Sequence, residues 1–351
     1  MSVVHLPGIL REVLSRETEN FRRYDVPLRR RLWLYRHQFT SSREAIYDLS
    51  EENVEEYLTD LQNVRAQGIN DPNAGALRNT VVFYQLLSRD YPSLVPDYYA
   101  ILPGDGSVSP VPGGDIETFE EFIQLVRTKP VIVKPMLNSG GVGVHLLEHA
   151  GDSFRVDGQP LTRSELSDFC SSVRPSVVEE RVDQAAYAEE IHPASANTIR
   201  VLTMVDPDTR RPFIAATAHR FGSSDSGVVD NWSSGGISAR IDPGTGALGE
   251  AVVSTFADSS GRSRVHPDTG TRISGVSIPE WDAISDRVLE VATRYRGIWS
   301  YVGWDVIVTD EDGGFVLIEG NDWPGIRIHQ AHEPLLADDR VRRFYEHHGV
   351  V

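Results

Sequence analysis

The sequence predicts an α+β protein, and three observations support this fold class. Apolar runs alternate with turns over residues 200–257, a pattern typical of an antiparallel sheet. Amphipathic patterns over residues 119–126 and 279–295 predict helices with one buried face. The pattern of residues 1–75 predicts a helical N-terminal region. With 351 residues, the chain is long enough for one or two domains.

The remaining elements are predicted from local signals in chain order. Ser50, Glu51 and Glu52 resemble a capped helix start that leads to Leu61. Further helices are expected at 77–90, at 162–171 and at 331–351. Strands are expected within 92–111 and at 131–135, 142–147, 176–182, 301–308 and 315–318.

Two predicted strands near the C-terminus carry three polar residues in one pattern. Asp305 lies on the first strand, and Glu319 and Asn321 end the second. Strand residues i and i+2 point to the same face, and hairpin pairing would bring Asp305 beside them. Three hard oxygen ligands at one point suit Mg²⁺ bound together with a phosphate. The alternative interpretation is a solvated hairpin with acidic side chains.

A β-branched strand ends at Lys134 and leads into a glycine-rich turn. This turn contains Ser139, Gly140, Gly141, Val142 and Gly143. Glycines let backbone N–H groups approach phosphate oxygens, and a lysine adds a point charge. The chain has only two lysines, Lys129 and Lys134, which favours a specific role over a plain hairpin turn. The turn is neither a Walker A loop nor a Rossmann fingerprint, because it lacks Gly-Lys-Ser/Thr and leads into a strand.

The strand at 176–182 ends in a polar segment that is suited to hold an adenine ring. Its residues are Glu179, Glu180, Arg181 and Val182. Backbone groups there are positioned to bind the edge of the ring, and the valine to pack on its face. The alternative is an ordinary strand end with charged residues.

The order of these parts resembles the ATP-grasp superfamily, and in particular its sugar-transfer associated branch. The similarity spans roughly residues 30–345. The motifs that carry it are Asn197-Thr198-Ile199-Arg200, His219-Arg220-Phe221-Gly222, Asp230-Asn231-Trp232-Ser233-Ser234-Gly235-Gly236, His266-Pro267-Asp268-Thr269-Gly270, Gly303-Trp304-Asp305 and Glu319-Gly320-Asn321.

This resemblance implies an ATP-grasp fold, in which two α+β lobes clamp ATP between antiparallel sheets. The helical region would span residues 1–75, the first lobe 76–185 and the second lobe 186–351. The implied cofactors are ATP and Mg²⁺, with two ions expected. The implied activity is ATP-dependent ligation, in which a carboxylate becomes an acyl phosphate that an amine or a similar nucleophile captures.

Within the resemblance, the catalytic candidates are two arginines and one loop. Arg200 and Arg220 offer planar forks that suit a carboxylate or an acyl phosphate. The loop contains Asn231, Ser233, Gly235 and Gly236, whose glycines would bring backbone N–H groups to the transferring phosphoryl group. His219 is the histidine best placed to line the acceptor pocket.

Two contacts of the superfamily have no clear counterpart in the sequence. An earlier lysine usually touches the α-phosphate, but the corresponding position here is Thr80, so Arg78 is the candidate replacement. The ribose-binding acid is Asp183, Glu189 or Glu190.

Composition narrows the choice of partners. The net charge of −17 disfavours nucleic acid and anionic membranes. The lone Cys170 excludes an internal disulfide and agrees with a cytoplasmic protein, and no apolar run of membrane-spanning length occurs. The acidic excess indicates either a salty cytoplasm or a high-GC genome.

Three functions are consistent with these features. They are a carboxylate–amine or peptide ligase, a small-molecule kinase, and a nucleotide-binding protein without turnover. The glycine loop favours the ligase. The expected partners are therefore small carboxylate and amine substrates of sugar or amino-acid origin.

Overall fold

A computed structural model describes residues 17–18, 24–137, 141–227, 229–232, 235–253 and 261–351. Its N-terminal region contains short helices joined by turns. These are α1 (Leu28–Arg36), α2 (Asp60–Arg65), α3 (Ala74–Arg78) and α4 (Thr80–Asp90), with 3₁₀ turns at Ser41–Ala45, Val54–Glu56, Ala66–Gly68 and Pro92–Leu94.

The first lobe is a seven-stranded antiparallel sheet in the order β2-β1-β7-β3-β4-β5-β6. Helices α5 (Phe119–Thr128) and α6 (Arg163–Ser172) contribute to its hydrophobic core. Each helix begins at a threonine capping box, with Thr118 and Glu121 in α5 and Thr162 and Glu165 in α6. The strands are β1 (Tyr98–Leu102), β2 (Ser109–Pro110), β3 (Val131–Pro135), β4 (His145–Ala150), β5 (Ser153–Val156), β6 (Gln159–Leu161) and β7 (Ser176–Glu180).

The second lobe is another seven-stranded antiparallel sheet, in the order β12-β11-β10-β9-β8-β13-β14. Its elements are α7 (Ala186–Ile191), β8 (Ile199–Val205), β9 (Pro212–Phe221), β10 (Ile237–Ile241), β11 (Leu248–Val253), β12 (Arg262–Ser263), α8 (Trp281–Tyr295), β13 (Tyr301–Val308), β14 (Phe315–Asn321), α9 (Arg327–Gln330), a 3₁₀ turn at Leu335–Ala337 and α10 (Asp339–His347). The antiparallel sheet and the α8 helix predicted from the sequence are therefore both present.

The neighbouring interior strands β8 and β13 are buried over their whole lengths. One face packs against α8, where Trp304 and Val306 join Ile284 and Val288 in one core cluster. The other face packs against the N-terminal region and α10, and this second cluster includes Leu58. Burial on both faces explains why these strands are nearly continuous apolar runs.

Three predicted helix boundaries are wrong. No helix starts at Ser50; instead α2 starts after Thr59, where Gln62 completes a capping box. The helix predicted at 77–90 is divided at Asn79, whose extended backbone and side chain cap α4. The last helix is confined to Asp339–His347 because Asp338 caps it.

Cys170 is fully buried in the core of the first lobe. Burial raises the pKa of its thiol to about 12, so the thiol stays protonated and unreactive.

Among the described residues, every helix is too short or too polar to cross a bilayer.

Candidate active site

A cleft of about 810 Å³ lies between the two sheets. Strands β3, β4 and β7 of the first lobe face strands β13 and β14 of the second lobe across it. Side chains of the N-terminal region also line this cleft, among them Arg43 and Asn63. Its size and its convergent polar groups are those of a small-molecule site.

Lys134 lies in the cleft and connects the two lobes. Its Nζ donates a hydrogen bond to the carbonyl oxygen of Ile318 at 3.0 Å and lies 3.6 Å from Glu319 Oε2. Burial disfavours the ammonium ion, but the carboxylates of Glu179, Glu319 and Asp305 outweigh burial and raise the pKa of Lys134. This lysine therefore carries a fixed positive charge.

Strands β13 and β14 bring together the three predicted metal ligands. Asp305 pairs directly with Glu319, and Asn321 pairs with Gly303. All three polar side chains line the cleft. A bulge follows the first pair, because Val306 pairs with Leu317 and leaves Ile318 as an additional residue. The carbonyl group that accepts from Lys134 belongs to this additional residue.

Asp305 is held by both arginines that the sequence singled out. Arg200 donates to both of its carboxylate oxygens, and Nη2 of Arg220 lies 3.0 Å from Oδ2. Burial alone would raise the pKa of Asp305, but the two guanidinium groups lower it below its usual value. The carboxylate is therefore ionised and largely neutralised by its partners.

A second buried acid, Asp230, completes this network through Thr198. Its Oδ2 accepts from the backbone N–H of Thr198 at 2.7 Å and from the hydroxyl at 2.6 Å. The same hydroxyl oxygen lies 2.9 Å from Nε of Arg220, which also lies 3.4 Å from Asp230 through Nη2. Burial raises the pKa of Asp230. Thr198 thus fixes the orientation of the Arg220 fork.

The predicted adenine segment lies at the first-lobe side of the cleft. Glu179, Glu180, Arg181 and Val182 all line it. Burial raises the pKa of Glu179, and its Oε2 has no hydrogen-bond partner among the described residues. An unpartnered buried acceptor is costly unless a ligand or water satisfies it.

The structure distinguishes among the three candidate ribose-binding acids. Glu189 lines the cleft and accepts from Gln184 Nε2 at 2.7 Å. Asp183 is exposed, and neither it nor Glu190 belongs to the cleft lining in the described structure. Among these three acids, only Glu189 lines the described cleft, and the identity of the ribose-binding acid stays a prediction.

The glycine turn is described from Gly141 onward, so Ser139 and Gly140 lie outside the described residues. Gly141 and Gly143 have φ angles of +71° and +80°, which favour glycine. A Cβ on Gly141 would lie 3.2 Å from Val229 of the second lobe, so the two lobes meet there. Val142 is 63% exposed and lies outside the cleft lining.

In the second glycine-rich loop, which ends at Gly235 and Gly236, close packing requires a glycine at position 236. A Cβ on Gly236 would lie 2.6 Å from the carbonyl oxygen of Asp230, and its N–H donates to Asn231 at 3.2 Å. Asn231 lines the cleft, whereas Gly235 and Gly236 do not. In the described conformation the Gly236 N–H already donates to Asn231, and a contact from this loop to a phosphoryl group stays a prediction. Ser233 lies outside the described residues.

Arg78 does not belong to the lining of the described cleft. Its Nε and Nη2 lie 3.0 and 2.5 Å from Oδ2 of Asp322. Arg78 therefore forms an ion pair with the segment after β14, and its contact with the α-phosphate stays a prediction.

Sequence reasoning did not identify several contributors to the site. Thr198 and Asp230 were visible only as parts of motifs, and their hydrogen bonds need the folded chain. The N-terminal contributors, with Arg43 and Asn63 among them, carry no motif. Only their proximity in the folded chain reveals them.

Two histidine groups have structural roles. The ring of His219 is hydrogen-bonded to Tyr187 and to the Arg220 carbonyl oxygen, and burial lowers its pKa to about 3.

His192, His266 and Asp268 form the one group of three potential metal-binding side chains in the described regions. Both ring nitrogens of His266 already bond to backbone atoms, so this group does not form a ready metal site.

Two antiparallel sheets that enclose such a cleft define an ATP-grasp protein. The sequence profile of the family described as sugar-transfer associated ATP-grasp matches residues 69–341. The chain belongs to this family.

Three solved structures resemble the chain at low sequence identity. The D-alanine–D-alanine ligase of Bacillus anthracis is 16% identical, with 84% of this chain and 77% of that chain covered and a TM-score of 0.42. The ATP-grasp ligase PsnB, complexed with a phosphomimetic precursor variant, Mg and ADP, is 14% identical, with coverage of 78% and 61% and a TM-score of 0.38. The macrocyclase MdnC of Microcystis aeruginosa MRC, bound with its precursor peptide MdnA, is 14% identical, with coverage of 83% and 74% and a TM-score of 0.36.

The chain thus spans about three fifths of the length of PsnB. None of the curated proteins gives a significant sequence match.

Proposed function

We propose that this protein is an ATP-dependent ligase that activates a carboxylate as an acyl phosphate and joins it to an amine. The observation that carries this proposal is the buried pair of guanidinium groups, Arg200 and Arg220, beside Lys134 and Glu319 in one cleft. An anionic acyl phosphate needs such fixed donors, and it needs water kept away because it hydrolyses.

The proposed reaction has two steps. A carboxylate oxygen of the first substrate attacks the γ-phosphorus of ATP, and the bond to the β–γ bridging oxygen breaks to release ADP. The amine then attacks the acyl carbon, phosphate leaves with the bonding pair, and the amine nitrogen loses its proton to solvent. Lys134 binds the phosphates, and Arg200 and Arg220 stabilise charge on the transferring group.

The donor set on β13 and β14 fits Mg²⁺. Its groups are the Asp305 and Glu319 carboxylates and the Asn321 amide oxygen, all hard oxygen ligands. The Glu319 side chain is 26% exposed into the cleft, so its carboxylate is accessible. Mg²⁺ there, with two ions expected, would neutralise phosphate charge.

The adenine is proposed to bind against residues 179–182, with the unpartnered Glu179 Oε2 available to accept a hydrogen bond. Ile132 and Leu146 of the first lobe line the same cleft and provide apolar contact. The ribose hydroxyls are assigned to Glu189, and the 141–143 turn to the phosphates.

An ADP-release assay across pools of amino acids, amino sugars and uronic acids, with mass detection, would identify the substrates. Oxygen-18 placed in the substrate carboxylate should then appear in the released phosphate. Turnover in which none of the label reaches phosphate would exclude the ligase, and a phosphorylated product would establish a kinase instead. ATP binding without turnover under any pool would leave only a nucleotide-binding role.

A further inference from the structure

One wall of the cleft comes from the N-terminal region. Its lining side chains are Tyr24, Thr40, Ser42, Arg43, Ile46 and Asn63. The family profile matches residues 69–341, and none of these six residues lies within the match. They line the cleft, so they are placed to contact a bound substrate.

Arg43 is the charged residue of this wall. It is 3% exposed, and its Nε and Nη2 both bind Oδ1 of Asp60, at 2.9 and 2.5 Å. The other carboxylate oxygen, Oδ2, accepts from the backbone N–H and the hydroxyl of Thr40, at 2.8 and 3.0 Å. Both oxygens of the Asp60 carboxylate therefore have hydrogen-bond partners, and this carboxylate fixes the plane of the Arg43 guanidinium group.

Nη1 of Arg43 has no hydrogen-bond partner among the described residues. A buried guanidinium donor without a partner is rare, because desolvation is then uncompensated. Two of the three nitrogens serve the ion pair, and the third, Nη1, is buried without a partner in the described structure. This pattern is expected of a side chain that completes its hydrogen bonds with a ligand.

The wall meets the segment that follows the proposed metal ligands. The indole N–H of Trp323, two residues after Asn321, donates to the carbonyl oxygen and Oδ1 of Asn63, at 3.3 and 3.2 Å. Gln330 bonds to the backbone of Leu58. The wall therefore belongs to the second-lobe side of the cleft, whereas the adenine segment belongs to the first.

We propose that Arg43 binds a carboxylate of the amine substrate, so that the acceptor is an amine that also carries a carboxylate, such as an amino acid. The inference rests on the proposed function and specifies its acceptor. Arg327 also lines the cleft, and Arg43 and Arg327 both act electrostatically on Tyr47, so a second guanidinium group lies near this wall. A planar donor in a low-dielectric site suits a carboxylate better than it suits a neutral amide.

Thermal unfolding with Mg²⁺ and the ATP analogue AMPPNP tests this selectivity. Each of the twenty L-amino acids is compared with its own carboxamide, which keeps the amine and removes the negative charge. At least one amino acid should raise the unfolding temperature at concentrations tenfold below those that its carboxamide requires. A panel in which no amino acid outperforms its carboxamide would overturn the proposal.

Three variants locate the effect. Arg43→Lys keeps a cation against Asp60 but removes the free nitrogen, and it should lose the amino-acid response while keeping the AMPPNP response. The double variant Arg43→Gln/Asp60→Asn removes both charges and serves if the single variant does not fold. Arg30→Lys, in the partly exposed ion pair with Glu44, is the control and should respond as the wild type does.

An unchanged amino-acid response in Arg43→Lys and in the double variant would contradict the assignment. Absence of any AMPPNP response in the wild type would instead refute the proposed function. The two failures are thereby separated.

Discussion

Asp305 and Glu319 lie directly opposite each other on β13 and β14, but they have different partners. Asp305 is bound by Arg200 and Arg220, whereas Glu319 has Lys134 at 3.6 Å and keeps part of its surface in the cleft. The hairpin thus presents one neutralised carboxylate and one accessible carboxylate. The accessible carboxylate is the better initial ligand for a cation.

Lys134→Met should weaken AMPPNP binding at least about tenfold, because a charged donor to the phosphates is lost. Calorimetric titration measures this change. Lys129→Met is the matched control, since Lys129 binds the Tyr99 hydroxyl outside the cleft lining and is the only other lysine. Equal affinities of the two variants would remove Lys134 from the phosphate site.

Asn321→Ala should lower ADP release by roughly a hundredfold, on the scale of losing one preorganised charge-stabilising group. Its Nδ2 makes only a 3.3 Å hydrogen bond to Gly303, so the unfolding temperature should change little. Mg²⁺ titration of AMPPNP binding should require higher metal concentrations in this variant. A normal Mg²⁺ dependence would argue against Asn321 as a ligand.

Arg200→Ala should reduce the free energy of unfolding by about 3 kcal/mol, because it removes one partner of a buried ion pair. Arg163→Ala removes a partner of the exposed Glu120 pair and should cost less than about 1 kcal/mol. Urea unfolding compares the two. If both variants lose a similar free energy of unfolding, burial does not increase the contribution of the Arg200–Asp305 ion pair to stability.

His332 makes stability depend on pH. Burial and then the charges of Arg262 and Arg240 lower its pKa to about 3, so the native ring is neutral. Below about pH 6.5 the unfolded chain binds a proton that the native chain does not, and stability falls as pH drops, by at most about 1.4 kcal/mol per unit. His332→Gln should flatten the fall between pH 6.5 and 5 in urea unfolding. If the free energy of unfolding depends on pH in the same way in His332→Gln and in the wild type, His332 does not contribute to the pH dependence.

Gly236→Ala should impair both folding and activity, because the added Cβ would lie 2.6 Å from the backbone oxygen of Asp230. Displacement of that segment would disturb the Asp230–Arg220 contact. Gly297→Ala is the control, since a Cβ there meets nothing within 4 Å. The unfolding temperatures and ADP-release rates of both variants check the prediction, which fails if the two behave alike.

Local patterns were enough to predict the parts of the site that lie within one hairpin. The i, i+2 spacing of Glu319 and Asn321 and the strand carrying Asp305 gave their shared location, because strand geometry has a fixed period. The bulge at Ile318 was not predictable, because an additional apolar residue leaves the pattern of the run unchanged.

Long-range partners explain the other differences. Arg78 is held by Asp322, which lies 244 residues away in the chain, and no local signal reports such a pair. The start of α2 was missed although Thr59 and Gln62 have capping-box spacing, since Ser50 and Glu52 offered a competing start. Arg43 lines the cleft only because the N-terminal region packs on the second lobe.

The hydrogen bond from Lys134 to the Ile318 carbonyl has a thermodynamic consequence. One ammonium group serves both as a latch between the lobes, through its hydrogen bond to Ile318, and as the proposed phosphate donor, so a change in the position of Nζ affects both contacts. A nucleotide that displaces Nζ from the Ile318 carbonyl must weaken this contact between the lobes. By thermodynamic linkage, the contact weakens nucleotide binding by the same free energy. The affinity for the nucleotide would then depend on the separation of the two lobes.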